Sequence, residues 1–249
     1  TATGSISNEP TPATNQEERE LLRVFERLCN YEERTRKREE LRVVEGNIKM
    51  LFAQQRTKDA EEMTVRSREL VEELKALDKI EDKKISVDDV HAILTTLKYK
   101  VTRKEVEEYV WEVDEDLDHC ISWSEMKLMY NRNLKDRTGL EPNRIFNVTQ
   151  VLIYDKNENN KVSVDETMNM LYERYGRTKM EVKLKELFGA NMLETGREGG
   201  EITFKQFIEA VDKVQLETFW KTTKGRIISQ TTAGKRSLET LVQTVSKQL

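Results

Sequence analysis

Two twelve-residue stretches gather oxygen-bearing side chains at regular spacing. They are Asp114-Glu-Asp116-Leu-Asp118-His-Cys-Ile-Ser-Trp-Ser-Glu125 and Asp155-Lys-Asn157-Glu-Asn159-Asn-Lys-Val-Ser-Val-Asp-Glu166. Each carries carboxylates or amides at positions 1, 3 and 5 and a glutamate at position 12. Calcium is a hard ion that takes six to eight oxygens, so a tight loop must bring several such groups together. In the earlier stretch Asp114, Asp116, Asp118 and Glu125 are candidate side-chain ligands, with the backbone carbonyl of Cys120 at position 7 and Ser122 at position 9, directly or through water. In the later stretch the matching set is Asp155, Asn157, Asn159 and Glu166, with the Lys161 carbonyl and Ser163. The closing glutamate offers two oxygens in each. Four carboxylates against two predict tighter binding in the earlier stretch, and the nearby Lys161 weakens the later one further.

The elements that must position these loops form a repeat. From Leu77 onward the order helix, polar loop, β-like triplet, helix occurs four times, with triplets at Ile85–Val87, Ile121–Trp123, Val162–Val164 and Ile202–Phe204. The apolar residue at position 8, Ile121 or Val162, is expected to form a short strand joining each loop to its neighbour. Thr102 with Glu105 and Thr178 with Glu181 read as capping boxes that start the helices before the second and fourth loops. Alternating plain and capped helices predict two pairs of units. From Leu77 to about Thr222, a little over half the chain, this pattern resembles the four-unit EF-hand proteins of the calmodulin superfamily. The resemblance implies an all-α fold of two EF-hand pairs with short β-bridges, calcium (Ca2+) as the bound ion, and magnesium (Mg2+) as an alternative occupant at rest.

The chain departs from the family pattern in ways that matter. Position 6, where the turn needs a left-handed backbone and glycine is usual, holds His119 and Asn160, residue types that tolerate that conformation at some loss of stability. The first loop, 78–89, puts Ile80 at a ligand position and the short Asp89 at position 12, and reads as silent. The fourth has its triplet four residues late and Gln206 at position 12, and also reads as silent. Each pair is therefore expected to hold one live and one silent loop.

Composition frames the rest. Of 249 residues (29.2 kDa), 35% are charged and 37% hydrophobic, with only 10 Gly and 3 Pro, which favours helices over sandwiches, barrels or glycine-rich nucleotide folds. A net charge of −4 implies no global polyelectrolyte partner such as nucleic acid. Two cysteines, Cys29 and Cys120, make no disulfide framework, and two histidines, His91 and His119, argue against zinc or acid–base machinery. With no catalytic constellation elsewhere, an enzyme is not expected. No apolar run reaches the roughly 20 residues of a membrane span, and the Thr/Ser-rich start lacks the apolar core of a signal peptide. A soluble, cytoplasmic protein is expected, and a chain starting at Thr1 without Met is compatible with processing.

The expected organisation is a disordered tail at 1–15, a long helical, coiled-coil-like arm at 16–60, EF-hand pairs at 61–138 and 139–222, and a basic extension at 223–249. Within the arm, Gly46 and Gln54–Lys58 are the expected interruptions, and the charged run around Arg34–Arg38 reads as a solvated helix face. Met126, Met129, Met168 and Met170 could line a groove for a partner helix, although core packing serves equally. Cys120 reads as an incidental thiol, the sequon at Asn147 as silent inside a helix, and Gly196–Gly200 as no P-loop. The function expected is a calcium-binding adaptor that docks onto helical or coiled-coil protein partners, with calcium modulating the contact. The alternative is a constitutive structural subunit. Long helical arms joined to degenerate EF-hands resemble, in organisation only, axonemal and other cytoskeletal EF-hand proteins. That resemblance implies a cilium or flagellum and axonemal or microtubule-associated partners.

Overall fold

A threonine caps the first described helix. Thr14 and Glu17 exchange bonds (Thr14 N–H to Glu17 Oε2, 2.8 Å; Glu17 N–H to Thr14 Oγ1, 3.2 Å) and so satisfy two of the free donors at the start of α1 (Asn15–Leu28). The computed structural model describes residues 13–136, 141, 144–189 and 200–221. Most of the expected tail, residues 190–199 of the fourth loop's late insertion, and the basic extension lie outside the described residues.

The arm is three helices rather than one. After α1 the chain turns at Cys29 and Asn30, where Asn30 takes a left-handed backbone (φ 56°), and α2 runs Tyr31–Ala53. Gly46 causes no break and lies inside α2. The interruption comes at Gln54–Arg56, where Gln55 is also left-handed (φ 58°), and α3 (Thr57–Asp78) folds back along α2. Charged pairs stitch this hairpin, Lys37 to Glu73 at 2.5 Å and Arg66 to Glu40 at 2.8 Å, while Arg66 also reaches Glu73 within α3 at 3.2 Å. The Lys37 ammonium holds the Glu73 carboxyl below its usual range.

Next come β1 (Ile85–Ser86), α4 (Val87–Thr96), α5 (Arg103–Trp111), β2 (Cys120–Ile121) and α6 (Trp123–Lys135). Strands β1 and β2 pair antiparallel, with Ile85 opposite Ile121 and Ser86 opposite Cys120. Thr102 and Glu105 form the expected capping box of α5. The described residues divide into two compact units, the first being Ala13–Tyr130 with Arg144–Ile153. Its core joins Ile85, Ile93, Leu94, Val106, Ile121 and Met126 to the buried face of α1, Leu21, Val24, Phe25 and Leu28. Phe25 stacks obliquely on Trp123 (5.4 Å between ring centres), Glu18 pairs with Lys127 (3.3 Å), and Arg23 donates to the Leu152 carbonyl (2.9 Å). Leu152 belongs to α7 (Arg144–Tyr154), whose Ile145, Val148 and Val151 are also buried. Burial, aided by the Asp89 charge, pushes the Cys29 thiol up to about 12, which leaves it a packing residue.

The second unit contains β3 (Lys161–Ser163), α8 (Val164–Phe188), β4 (Glu201–Thr203) and α9 (Phe204–Lys221). Strands β3 and β4 pair antiparallel, with Val162 opposite Ile202. Leu171, Leu184, Phe188, Phe204 and Phe207 are buried here, and Tyr154 meets Phe207 at 6.3 Å. Helix α8 breaks at Gly176 (φ 68°, ψ 172°), a conformation open essentially to glycine. The helix after the break therefore restarts at Arg177, and Thr178 lies within it instead of capping it. Of the methionines on the exit helices, Met126, Met129 and Met170 pack in cores and Met168 is exposed. The described chain is predominantly helical with two short antiparallel ladders, an all-α fold.

Candidate metal centre

The second loop, Asp114 to Glu125, joins α5 to β2 and α6. Its oxygens converge because backbone N–H groups bind them in a fixed order. Asp118 N–H is shared by Asp114 Oδ1 and Asp116 Oδ1, each at 3.2 Å, and His119 N–H reaches Asp114 Oδ2 at 2.8 Å. Cys120 N–H donates to Asp118 Oδ1 at 2.8 Å. Glu125 comes back from the first turn of α6 to accept from Glu115 N–H (2.8 Å) and Asp116 N–H (3.4 Å) through Oε1. Its Oε2 takes Ser122 N–H (2.8 Å) and Ser122 Oγ (2.7 Å). Carboxylate oxygens of Asp114, Asp116 and Asp118 consequently lie within 4.8 Å of one another.

The third loop, Asp155 to Glu166, repeats this wiring. Asn159 N–H is shared by Asp155 Oδ1 (3.0 Å) and Asn157 Oδ1 (2.9 Å), Asn160 N–H reaches Asp155 Oδ2 (3.0 Å), and Lys161 N–H reaches Asn159 Oδ1 (2.8 Å). Glu166 accepts from Asn157 N–H at 3.4 Å and from Ser163 N–H and Oγ at 3.0 and 2.8 Å. The backbone explains the match. His119 and Asn160 are left-handed (φ 65° and 64°), as position 6 requires, and so are Leu117 and Glu158 at position 4 (φ 61° and 58°). The second left-handed residue leaves no glycine or asparagine mark at position 4.

Charges in the second loop are uneven. The Lys84 ammonium hydrogen-bonds Asp118 and holds its carboxyl below the usual range. Asp116 is pushed up by desolvation and by the neighbouring Asp118 and Glu125 charges. Burial pushes Glu125 up, yet the donors from Ser122, Glu115 and Asp116 outweigh it and keep the group ionised below its ordinary value. Asp114, Glu125 and Asp155 are buried. An all-oxygen donor set with clustered, partly buried carboxylates fits a hard divalent cation such as calcium. Desolvation, helped by the Asp118 charge, pushes the Cys120 thiol up, which fits the incidental role expected of it.

One device escaped the sequence reading: positions 9 and 12 also form a helix cap. Ser122 with Glu125 and Ser163 with Glu166 bond reciprocally, as do Ser86 with Asp89 and Thr203 with Gln206 in the flanking loops. The recurring hydroxyl-x-x-acid or amide spacing was the available signal. In the first loop the acids serve another end. Asp78 pairs with Arg34 at 2.9 Å, and Asp89 accepts from the backbone of α2. Arg34 therefore sits half-buried in an ion pair instead of on a solvated face. Ile80 at position 3 is exposed.

Among curated proteins, none matches the chain significantly. Residues 68–131 do match a family model, that of an EF-hand domain pair, and this span holds the first and second loops and their β1–β2 ladder. Over residues 68–131 the chain thus has the paired helix–loop–helix organisation of an EF-hand domain pair.

Proposed function

We propose that the protein is a calcium-binding EF-hand adaptor, with the second loop as its principal site and the third as a weaker one. The reading is carried by one observation: loops 114–125 and 155–166 present oxygens at positions 1, 3, 5 and 12 through the same set of backbone donors. Asp114, Asp116, Asp118, Ser122 and Glu125, with the Cys120 carbonyl, would hold the ion in the second loop. Asp155, Asn157, Asn159, Ser163 and Glu166, with the Lys161 carbonyl, would hold it in the third. When bound, a divalent cation would neutralise the clustered carboxylates, and Glu125 or Glu166, in the first turn of α6 or α8, would link filling of the loop to the setting of that helix. Antiparallel pairing of Val162 with Ile202 supports reading the second unit as another pair of hands.

The adaptor role concerns helical or coiled-coil protein partners. A second reading, a structural subunit of a cytoskeletal or ciliary assembly with little calcium regulation, is favoured by α1, which already covers the apolar face of the first pair. Calcium titration followed by calorimetry and tryptophan fluorescence separates the two. Saturable micromolar binding abolished by Glu125→Gln, with partner capture that depends on calcium, supports the adaptor. Assembly that persists in chelator and in Glu125→Gln supports the structural subunit. Absence of binding at millimolar calcium defeats the calcium-binding reading.

A further inference from the structure

The two ladders place the silent loops in contact with the live ones at matching points. Lys84, position 7 of the first loop, hydrogen-bonds through its ammonium to Asp118, position 5 of the second. Glu201, the residue one before Ile202 and therefore position 7 of the fourth loop, accepts from Asn159 Nδ2 at 3.2 Å, position 5 of the third. Glu201 also pairs with Lys161 at 2.7 Å. In both pairs the residue just before the position-8 strand residue crosses the ladder to the same candidate ligand. The chemistry is opposite: a cation meets a carboxylate in one pair, and an anion meets an amide in the other.

We infer that the silent loops set the cation affinity of the live loops through these position-7 side chains, Lys84 weakening the second loop and Glu201 strengthening the third. The inference rests on the calcium-binding reading above. Lys84 is a tethered positive charge on a ligand that a divalent ion must share, so ion binding has to overcome like-charge repulsion and the loss of the Asp118 pair. Glu201 adds negative charge beside a loop with only two carboxylates among its ligands and offsets the Lys161 ammonium. The gap in affinity suggested by four carboxylates against two is narrowed from both sides. Both residues are partly exposed, so the effect is moderate and screened by salt.

The test is calcium titration of the full chain by calorimetry, with Glu166→Gln used to isolate the second loop and Glu125→Gln to isolate the third. Lys84→Gln should tighten the second loop by about two- to fivefold, and Lys84→Arg, which keeps the charge, should leave it as in the parent. Glu201→Gln should weaken the third loop by a similar factor, about two- to fivefold. Both differences should shrink at about 1 M salt, where the screening length is near 3 Å. If the parent loops bind calcium and neither neutral variant changes its loop's affinity, the inference is overturned while the calcium-binding reading stands. If the parent second loop binds none and Lys84→Gln restores binding, the inference is supported and the reading of the parent fails. Silence in the parent and in both neutral variants overturns both.

Discussion

The Asp89 carboxylate leaves its own loop and accepts from Glu32 N–H at 2.9 Å, in the first turn of α2. Its other oxygen takes Ser86 N–H at 3.0 Å and Ser86 Oγ at 2.7 Å. Asn30, at the start of α2, provides no side-chain cap, so the acid of a silent loop supplies one from a distance. Asp89→Ala should lower unfolding stability by about 1–2 kcal/mol, since it leaves partly buried donors without an acceptor. Urea unfolding with unchanged m-value checks this, and Asp89→Asn, which keeps one acceptor oxygen, should lose less.

Phe25 connects α1 to the second loop through Trp123. Truncating it leaves a void beside the indole and removes nearly all of a fully buried ring. Phe25→Ala should cost about 3–4 kcal/mol and shift Trp123 emission to longer wavelength as water reaches the ring. A variant as stable as the parent would mean that α1 is held by its other contacts alone.

Asn147 is almost completely buried, and among the described residues neither its Oδ1 nor its Nδ2 has a hydrogen-bond partner. A glycan could not be attached to this side chain in the folded unit, whatever its sequon. Unpaired buried amide atoms are destabilising by about 1–3 kcal/mol, so Asn147→Leu should raise the thermal midpoint. A lowered midpoint would show that the amide is satisfied in solution, for instance by bound water.

Glu105 accepts from Thr102 N–H and Thr102 Oγ, both at 2.7 Å, and these bonds hold its carboxyl below the ordinary 4.5. Because its folded pKa is depressed, Glu105 stabilises α5 above the unfolded pKa, and that contribution disappears as pH falls through the folded value. Stability should fall on acidification below about pH 4.5. Glu105→Gln, measured across pH 3 to 7 by chemical unfolding, should show a shallower slope in the acid limb.

Side-chain type at fixed spacing made the loops readable in advance. The β-bridge at position 8 and the left-handed turn at His119 and Asn160 both follow from local sequence. Contacts distant in sequence could not be read this way. Lys84 looks like any solvated lysine until the β1–β2 register carries it to Asp118. The turn at Asn30 was hidden inside a helical pattern, whereas Gly46, a usual helix breaker, stayed helical because helix propensity is weak against packing on α3. Gly176 overrode the Thr178 motif because only a residue without Cβ fits the backbone there.

The placement of α1 has a consequence for any search for partners. Helix α1 is joined by two residues to α2, which Asp89 pins to the first pair, so α1 acts as a competitor at a local concentration of order millimolar. A helix arriving from outside with the same intrinsic micromolar affinity would be disfavoured by roughly a thousandfold. Binding screens against the intact chain therefore select for surfaces other than this face, and only a chain freed of its first thirty residues would offer the face to a ligand in trans.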